Sequence, residues 1–191
     1  MMKSVLIAIR PQGVEKIANG EKTIEVRKTA PQEVPFKCYI YETQGRTETP
    51  WIDEDGHFIY KGRGQVIGEF ICDRIEMVNA KCSDYGIDLF YHDCLTNGCL
   101  TEREIEKYFN VPEDRDLRAM KGNGYVWHIS DLKIYGSPKE LSEFSRPCSY
   151  SGLCFSCKRT SFKKDGNLLC NTKITRPPKS WMYVEDLGEE K

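Results

Sequence analysis

No apolar run in this 191-residue sequence approaches the roughly 20 residues that a membrane-spanning helix needs. The run near the start, Val5 to Ile9, falls short of the ~7–15-residue apolar region of a secretory signal, and Arg10-Pro11 ends it. The sequence therefore reads as that of a cytoplasmic protein. A charge bias is also missing, since 28 Lys and Arg stand against 29 Asp and Glu for a net −1. Histidine is scarce: His57, His92 and His128 are the whole complement. The sequence has no Gly-x-x-x-x-Gly-Lys loop, Gly-x-Gly-x-x-Gly turn, Gly-x-Ser-x-Gly elbow or His-Glu-x-x-His helix. Nucleotide hydrolysis, dinucleotide redox chemistry and the common hydrolase classes find no support there. Internal repeats and low-complexity tracts are absent too.

Hydrophobic residues make up 39% and aromatics 11%, enough for a real core and too much for a disordered chain. The near-zero net charge hides a polarity. Residues 146–180 carry +7, residues 181–191 carry −3, and the remaining body carries −5. Nine cysteines are many for a cytoplasmic chain, and an odd number argues against a closed disulfide framework. Five are scattered (Cys38, Cys72, Cys82, Cys94, Cys99), and four fall inside the basic segment (Cys148, Cys154, Cys157, Cys170).

Ser4 to Ile9 reads as a strand buried on both faces, because apolar residues occupy both parities. Pro11 suits the first turn of a short helix with Val14, Ile17 and Ala18 on one face, and Asn19-Gly20 stops it. Thr23 to Lys28 alternates, with Ile24 and Val26 inward and Thr23, Glu25 and Arg27 on the other face. Phe36 to Tyr41 is a third strand. Asp55-Gly56 between Trp51-Ile52 and Phe58-Ile59-Tyr60 signals a hairpin. Gln65 to Val78 reads as one long strand whose Gly68 marks a bulge or bend, and Tyr125 to Tyr135 as a final strand. Between them, residues 79–123 form a helical insert, where Thr101 to Glu104 opens a helix with a capping box and Ile105, Tyr108 and Phe109 form its stripe. Pro138, Leu141 and Phe144 suggest a short closing helix. Five or six strands without β-α alternation predict an α+β fold, a small mixed β-barrel with flanking short helices. The division expected is a body over 1–145 and a basic, Cys-rich module with a tail over 146–191.

The basic segment predicts a metal. Its spacing is Cys-x5-Cys-x2-Cys-x12-Cys, and the central Cys-x-x-Cys is the tight turn that brings two thiolates to one tetrahedral ion. Only Leu153, Phe155, Phe162, Leu168 and Leu169 are large and apolar between Cys148 and Cys170, too few for a separate core. One structural Zn²⁺ held by Cys148, Cys154, Cys157 and Cys170 would order it, with an iron–sulfur cluster or free or disulfide-paired thiols as alternatives. Cys82, His92, Cys94 and Cys99 raise a second metal site, against buried free thiols as the plainer reading. The concentrated positive charge predicts salt-sensitive contact with a polyanion, or else a solvated surface.

The order of elements, and the run Gly20-Glu21-Lys22-Thr23-Ile24-Glu25-Val26-Arg27, resembles the ASCH domain, a branch of the PUA-like superfamily. That family's signature is Gly-x-Lys-x-x-Glu-x-Arg after the first helix, and Gly20, Lys22, Glu25 and Arg27 fill it. The resemblance covers roughly residues 3–145, with Trp127-His128-Ile129 matching the closing strand. It implies a small barrel whose cleft receives RNA or a nucleobase. Members include RNA-associated modules, a transcription coactivator domain, ribonucleases and acetylcytidine amidohydrolases that use a Lys, a Thr and a Glu. Lys22 aligns with their Lys, but Glu25 stands at the Thr position, and their Glu falls where this chain has its insert.

The residues point to the same place. Glu25 and Arg27 are two apart on a strand and share a face, with Lys22 at its entrance. Together they can bind a phosphate and a base edge, with Tyr41, Trp51, Tyr125 and Trp127 as stacking candidates, Tyr41 and Trp127 foremost. In an enzyme, Lys22 and Glu25 would be the catalytic pair. The plainer alternative is a surface ion pair worth about 0–1 kcal/mol. The leading expectation is RNA or modified-nucleotide binding assisted by the zinc module. The alternatives are an enzyme acting on RNA or nucleosides and a protein-interaction module.

Overall fold

The computed structural model describes residues 3–44, 51–52, 58–59, 62–112, 117–148, 160–162, 168–170 and 172–188. The chain begins β1 (Lys3–Ile9), α1 (Pro11–Ala18), β2 (Ile24–Arg27), β3 (Phe36–Glu42), β4 (Trp51–Ile52) and β5 (Phe58–Ile59). It continues β6 (Val66–Cys72), β7 (Ile75–Asn79), α2 (Asp84–Thr96), α3 (Glu102–Phe109), β8 (Asn123–His128) and β9 (Ser130–Lys139). It ends β10 (Thr160–Phe162), β11 (Leu168–Cys170) and β12 (Trp181–Val184).

The main sheet has the order β12-β1-β3-β6-β9. β1 runs parallel to β3 from Lys3↔Phe36 to Ile9↔Glu42. Parallel neighbours need a crossover, and α1 with β2 provides it. As the two-faced apolar pattern predicts, Ser4 to Ile9 are all buried. Val5, Ile7 and Ile9 pack with Val14 and Ile17 of α1 and with Trp127. Leu6 and Ala8 face the other way, toward Phe144, Ile174 and Val184.

The two long runs expected as single strands each divide. β6 ends at Cys72 and β7 starts at Ile75, while β8 ends at His128 and β9 starts at Ser130. The two breaks are tied together, because the His128 N–H donates to the Arg74 carbonyl at 3.0 Å. β7 and β8 then join β2 in a second sheet of order β2-β8-β7. This corrects the expected closed barrel. Among the described residues the two sheets are separate ladders, because each long run bends from one sheet into the other. The fold class is nonetheless α+β, with few helices.

The insert over 79–123 is helical, as its pattern predicts. Thr101 caps α3 through the Glu104 N–H at 3.3 Å, Glu104 returns a bond to the Thr101 N–H at 2.9 Å, and Ile105 and Phe109 are buried. α2 and α3 cover the Ile24, Val26, Val78 and Val126 face of the second sheet. Gly124 permits that approach, since a Cβ there would lie 2.6 Å from the Phe90 ring. The closing helix expected near Pro138 shrinks to a single 3-10 turn, Leu141–Glu143, because β9 extends through Pro138 to Lys139. β4 and β5 pair as the hairpin signal predicts, Trp51↔Ile59 and Ile52↔Phe58. None of the described helices is long and apolar enough to cross a membrane.

Residues 172–188 of the C-terminal region lie against the body. The Arg146 N–H donates to the Thr172 carbonyl at 2.8 Å, and Ser145 bridges Lys173. Ile174 is buried, and β12 pairs antiparallel with β1 from Ser4↔Val184 to Ile7↔Trp181. The sequence pattern assigns all of 146–191 to an appendage, whereas residues 172–188 lie against the body.

Candidate functional site

Gly20, at φ +76°, turns the chain after α1 and delivers Lys22 to the start of β2. The Lys22 side chain is 5% exposed, and its Nζ donates to the Gly98 carbonyl at 2.6 Å. Gly98 belongs to the α2–α3 loop, whose Asn97 carbonyl also accepts from the Thr23 N–H at 3.0 Å. Glu25 follows on β2 with its side chain 8% exposed; one oxygen lies 3.4 Å from Lys22 Nζ and the other 2.9 Å from Arg27 Nη2. Arg27 is 11% exposed, donates from Nη2 to the Ala8 carbonyl at 2.8 Å, and reaches the Ser180 hydroxyl at 3.4 Å. The result is a buried Lys–Glu–Arg triad at the seam between the two sheets. A solvated surface ion pair does not describe it.

The surroundings follow from the register. Glu25 lies opposite Trp127 and Arg27 opposite Tyr125, so all four share one face of β2–β8. Trp127 and Tyr125 pack with the main-sheet cluster, which puts that face toward β1 and β3. Burial pushes the Cys38 thiol well up, with Cys72 and Glu25 adding and Arg27 opposing. Burial likewise pushes Cys94 up to about 12 against the pull of Lys22. The Tyr108 phenol is raised by burial and opposed by Arg27. Cys38 packs in the main-sheet cluster, and Cys94 and Tyr108 pack in the cluster that covers the second sheet.

The structure brings Lys22, Glu25, Arg27, Tyr125 and Trp127 together, but leaves Tyr41 apart. Tyr41 is buried on the opposite face of the main sheet, beside Tyr39, Val66 and Phe144. Trp127 is fully buried, with its ring edge-on to Phe36 and to Trp181 at 5.3 and 5.7 Å. The Trp51 side chain lies outside the described residues. Of the four cysteines expected at a metal, Cys148 is exposed and free, Cys170 sits in β11 opposite Thr160, and Cys154 and Cys157 lie outside the described residues. Among the described residues no three His, Cys, Asp or Glu side chains gather into a metal-binding group, Cys82, His92, Cys94 and Cys99 included. Ser180 and Trp181 are site neighbours that spacing does not suggest. Trp181 Nε1 donates to the Thr29 hydroxyl at 3.0 Å, and the Ala8 N–H to the Ser180 carbonyl at 2.9 Å. Their signal is the aromatic run Trp-Met-Tyr-Val after Pro177-Pro178. A separate concavity of about 240 Å³, with Glu69, Lys133, Lys139 and Glu143 on its walls, does not involve the triad. Its two acids and two bases offer no single charge preference.

No family model and no curated protein matches this sequence. Solved structures do match its fold. The crystal structure of ASCH from Zymomonas mobilis superposes with a TM-score of 0.55 at 16% identity, covering 96% of this chain and 88% of that one. A serine-to-alanine mutant of the Zymomonas mobilis protein gives 0.54 at 15% identity, covering 96% and 89%. The fold is similar to ASCH.

Proposed function

We propose that this protein binds RNA or a nucleotide at the Lys22–Glu25–Arg27 seam, with the basic segment 146–180 adding backbone contacts. The observation that carries this reading is the triad itself. Two cations and one anion, none more than 11% exposed, leave one excess positive charge where two sheets of an ASCH-like fold meet. A guanidinium fixed on two sides and an ammonium beside it suit phosphate and base-edge recognition. The +7 of residues 146–180 supplies the sequence-independent attraction of a polyanion binder. Cysteine spacing supports a structural zinc through Cys148, Cys154, Cys157 and Cys170, and β11 sets Cys170 opposite Thr160, three residues beyond Cys157.

The test is to incubate the protein with labelled single-stranded RNA and with acetylcytidine, with and without divalent metal. The expected result is saturable RNA binding that weakens as salt rises, without turnover. Acetylcytidine hydrolysis or RNA cleavage that vanishes in Lys22→Ala would instead make Lys22 and Glu25 an enzyme's pair. Neither binding nor turnover would end both readings.

A further inference from the structure

Two buried donors at the seam have no acceptor among the described residues: Nε of Arg27 and Nε1 of Trp127. Leaving a buried N–H unmet is costly, so such atoms mark a missing partner. Glu25 is opposite Trp127 and Arg27 opposite Tyr125, which makes Arg27 and Trp127 diagonal neighbours on one face. The C-terminal segment fixes the same juxtaposition from a second side. Ser180 accepts from Arg27 Nη1, and the adjacent Trp181 packs edge-on to Trp127.

Both orphaned groups can only donate, because neither an indole N–H nor a guanidinium accepts. The missing partner is therefore an acceptor. Its charge follows from the triad, where Glu25 offsets only one of Lys22 and Arg27, and a buried excess charge calls for a counter-ion. We propose that the Arg27–Trp127 face binds a phosphate oxygen, received by Arg27 Nε–H and Trp127 Nε1–H. This deepens the nucleotide-binding reading and rests on it for the larger molecule to which the phosphate belongs. Ser180, 3.4 Å from Arg27 Nη1, and Trp181 are the partly buried residues on that side of the seam.

The full chain, labelled with ¹⁵N, can be titrated with inorganic phosphate, uridine monophosphate and uridine. The three indole N–H signals are assigned through Trp51→Phe and Trp181→Phe, and the Arg27 Nε–H signal through Arg27→Lys. Phosphate and the monophosphate are expected to shift the Trp127 and Arg27 signals together, with one dissociation constant for both, and uridine to leave them in place. Arg27→Lys, which keeps the charge but loses Nε–H, should weaken phosphate binding at least about tenfold. Signals that never move with phosphate, or that move as strongly with uridine, overturn the proposal. RNA binding that leaves both signals unmoved overturns it while sparing the nucleic-acid reading. Phosphate-driven shifts in a protein that binds no RNA uphold it and remove RNA as the ligand.

Discussion

Glu25 holds the two cations of the seam, one on each carboxylate oxygen. Its burial means that no water shell can replace it. Glu25→Gln keeps the shape but leaves Lys22 and Arg27 without that anion, and breaking a buried pair from one side is costly. The expected loss is about 3–5 kcal/mol, read from urea unfolding. A loss below about 1 kcal/mol would mean that solvent reaches the triad and screens it as on a surface. The triad is legible in the sequence because residues two apart on a strand must share a face. The aromatic partners are not equally so. Tyr39 and Tyr41 share one face of β3 and Cys38 and Ile40 the other, and both faces are buried. An apolar run with two covered faces does not say which one meets the seam, so spacing alone groups Tyr41 with Trp127 although the sheet lies between them.

At the scale of elements, β12 depends on the residues that follow it. Asp186 accepts from the Tyr39 hydroxyl and from Lys37 Nζ at 3.1 Å, and the Leu187 N–H donates to Tyr39 at 3.0 Å. Burial alone would raise the Asp186 carboxyl, but the bonds from Tyr39 and Lys37 and the Lys37 charge more than reverse it. The net value lies below the ordinary 3.8. A carboxyl held lower in the folded than in the unfolded state stabilises above its unfolded value, and that contribution is lost as pH falls through the folded one. The amides of β12 should therefore lose hydrogen-exchange protection below about pH 4, before the β3–β6 ladder does. Asp186→Asn should flatten that acid-side slope; an unchanged slope would assign it to other carboxylates. β12 itself is hard to read because it is four residues long and its partner β1 lies at the other end of the chain. The division of residues 65–78 is hidden for a related reason. Asp73 and Arg74 are ordinary residues, and the bend is held by His128, distant in sequence, through the Arg74 carbonyl and the Asp73 carboxylate.

For the whole molecule, the return of β12 decides how the basic segment can be removed. Truncation at residue 145 would take away Ile174, Trp181 and Val184, which pack into cores on both faces of the main sheet. Replacement of residues 149–171 by a short Gly-Ser linker is the gentler cut, because Ser145 and Lys173 already face each other across a bridge. The shortened chain should keep its circular dichroism and a cooperative melt. It should also lose about one equivalent of zinc per chain, as a single four-thiolate site requires. It gives up Lys158, Arg159, Lys163 and Lys164 with Asp165. For single-stranded RNA, the slope of log affinity against log salt should therefore become shallower by roughly 2–3. Less than half an equivalent of zinc in the full chain, or brown protein containing iron, would sink the zinc assignment. RNA binding that is unchanged in strength and slope would confine recognition to the seam. Collapse of the shortened protein would show that the excursion supports the two sheets instead of riding on them.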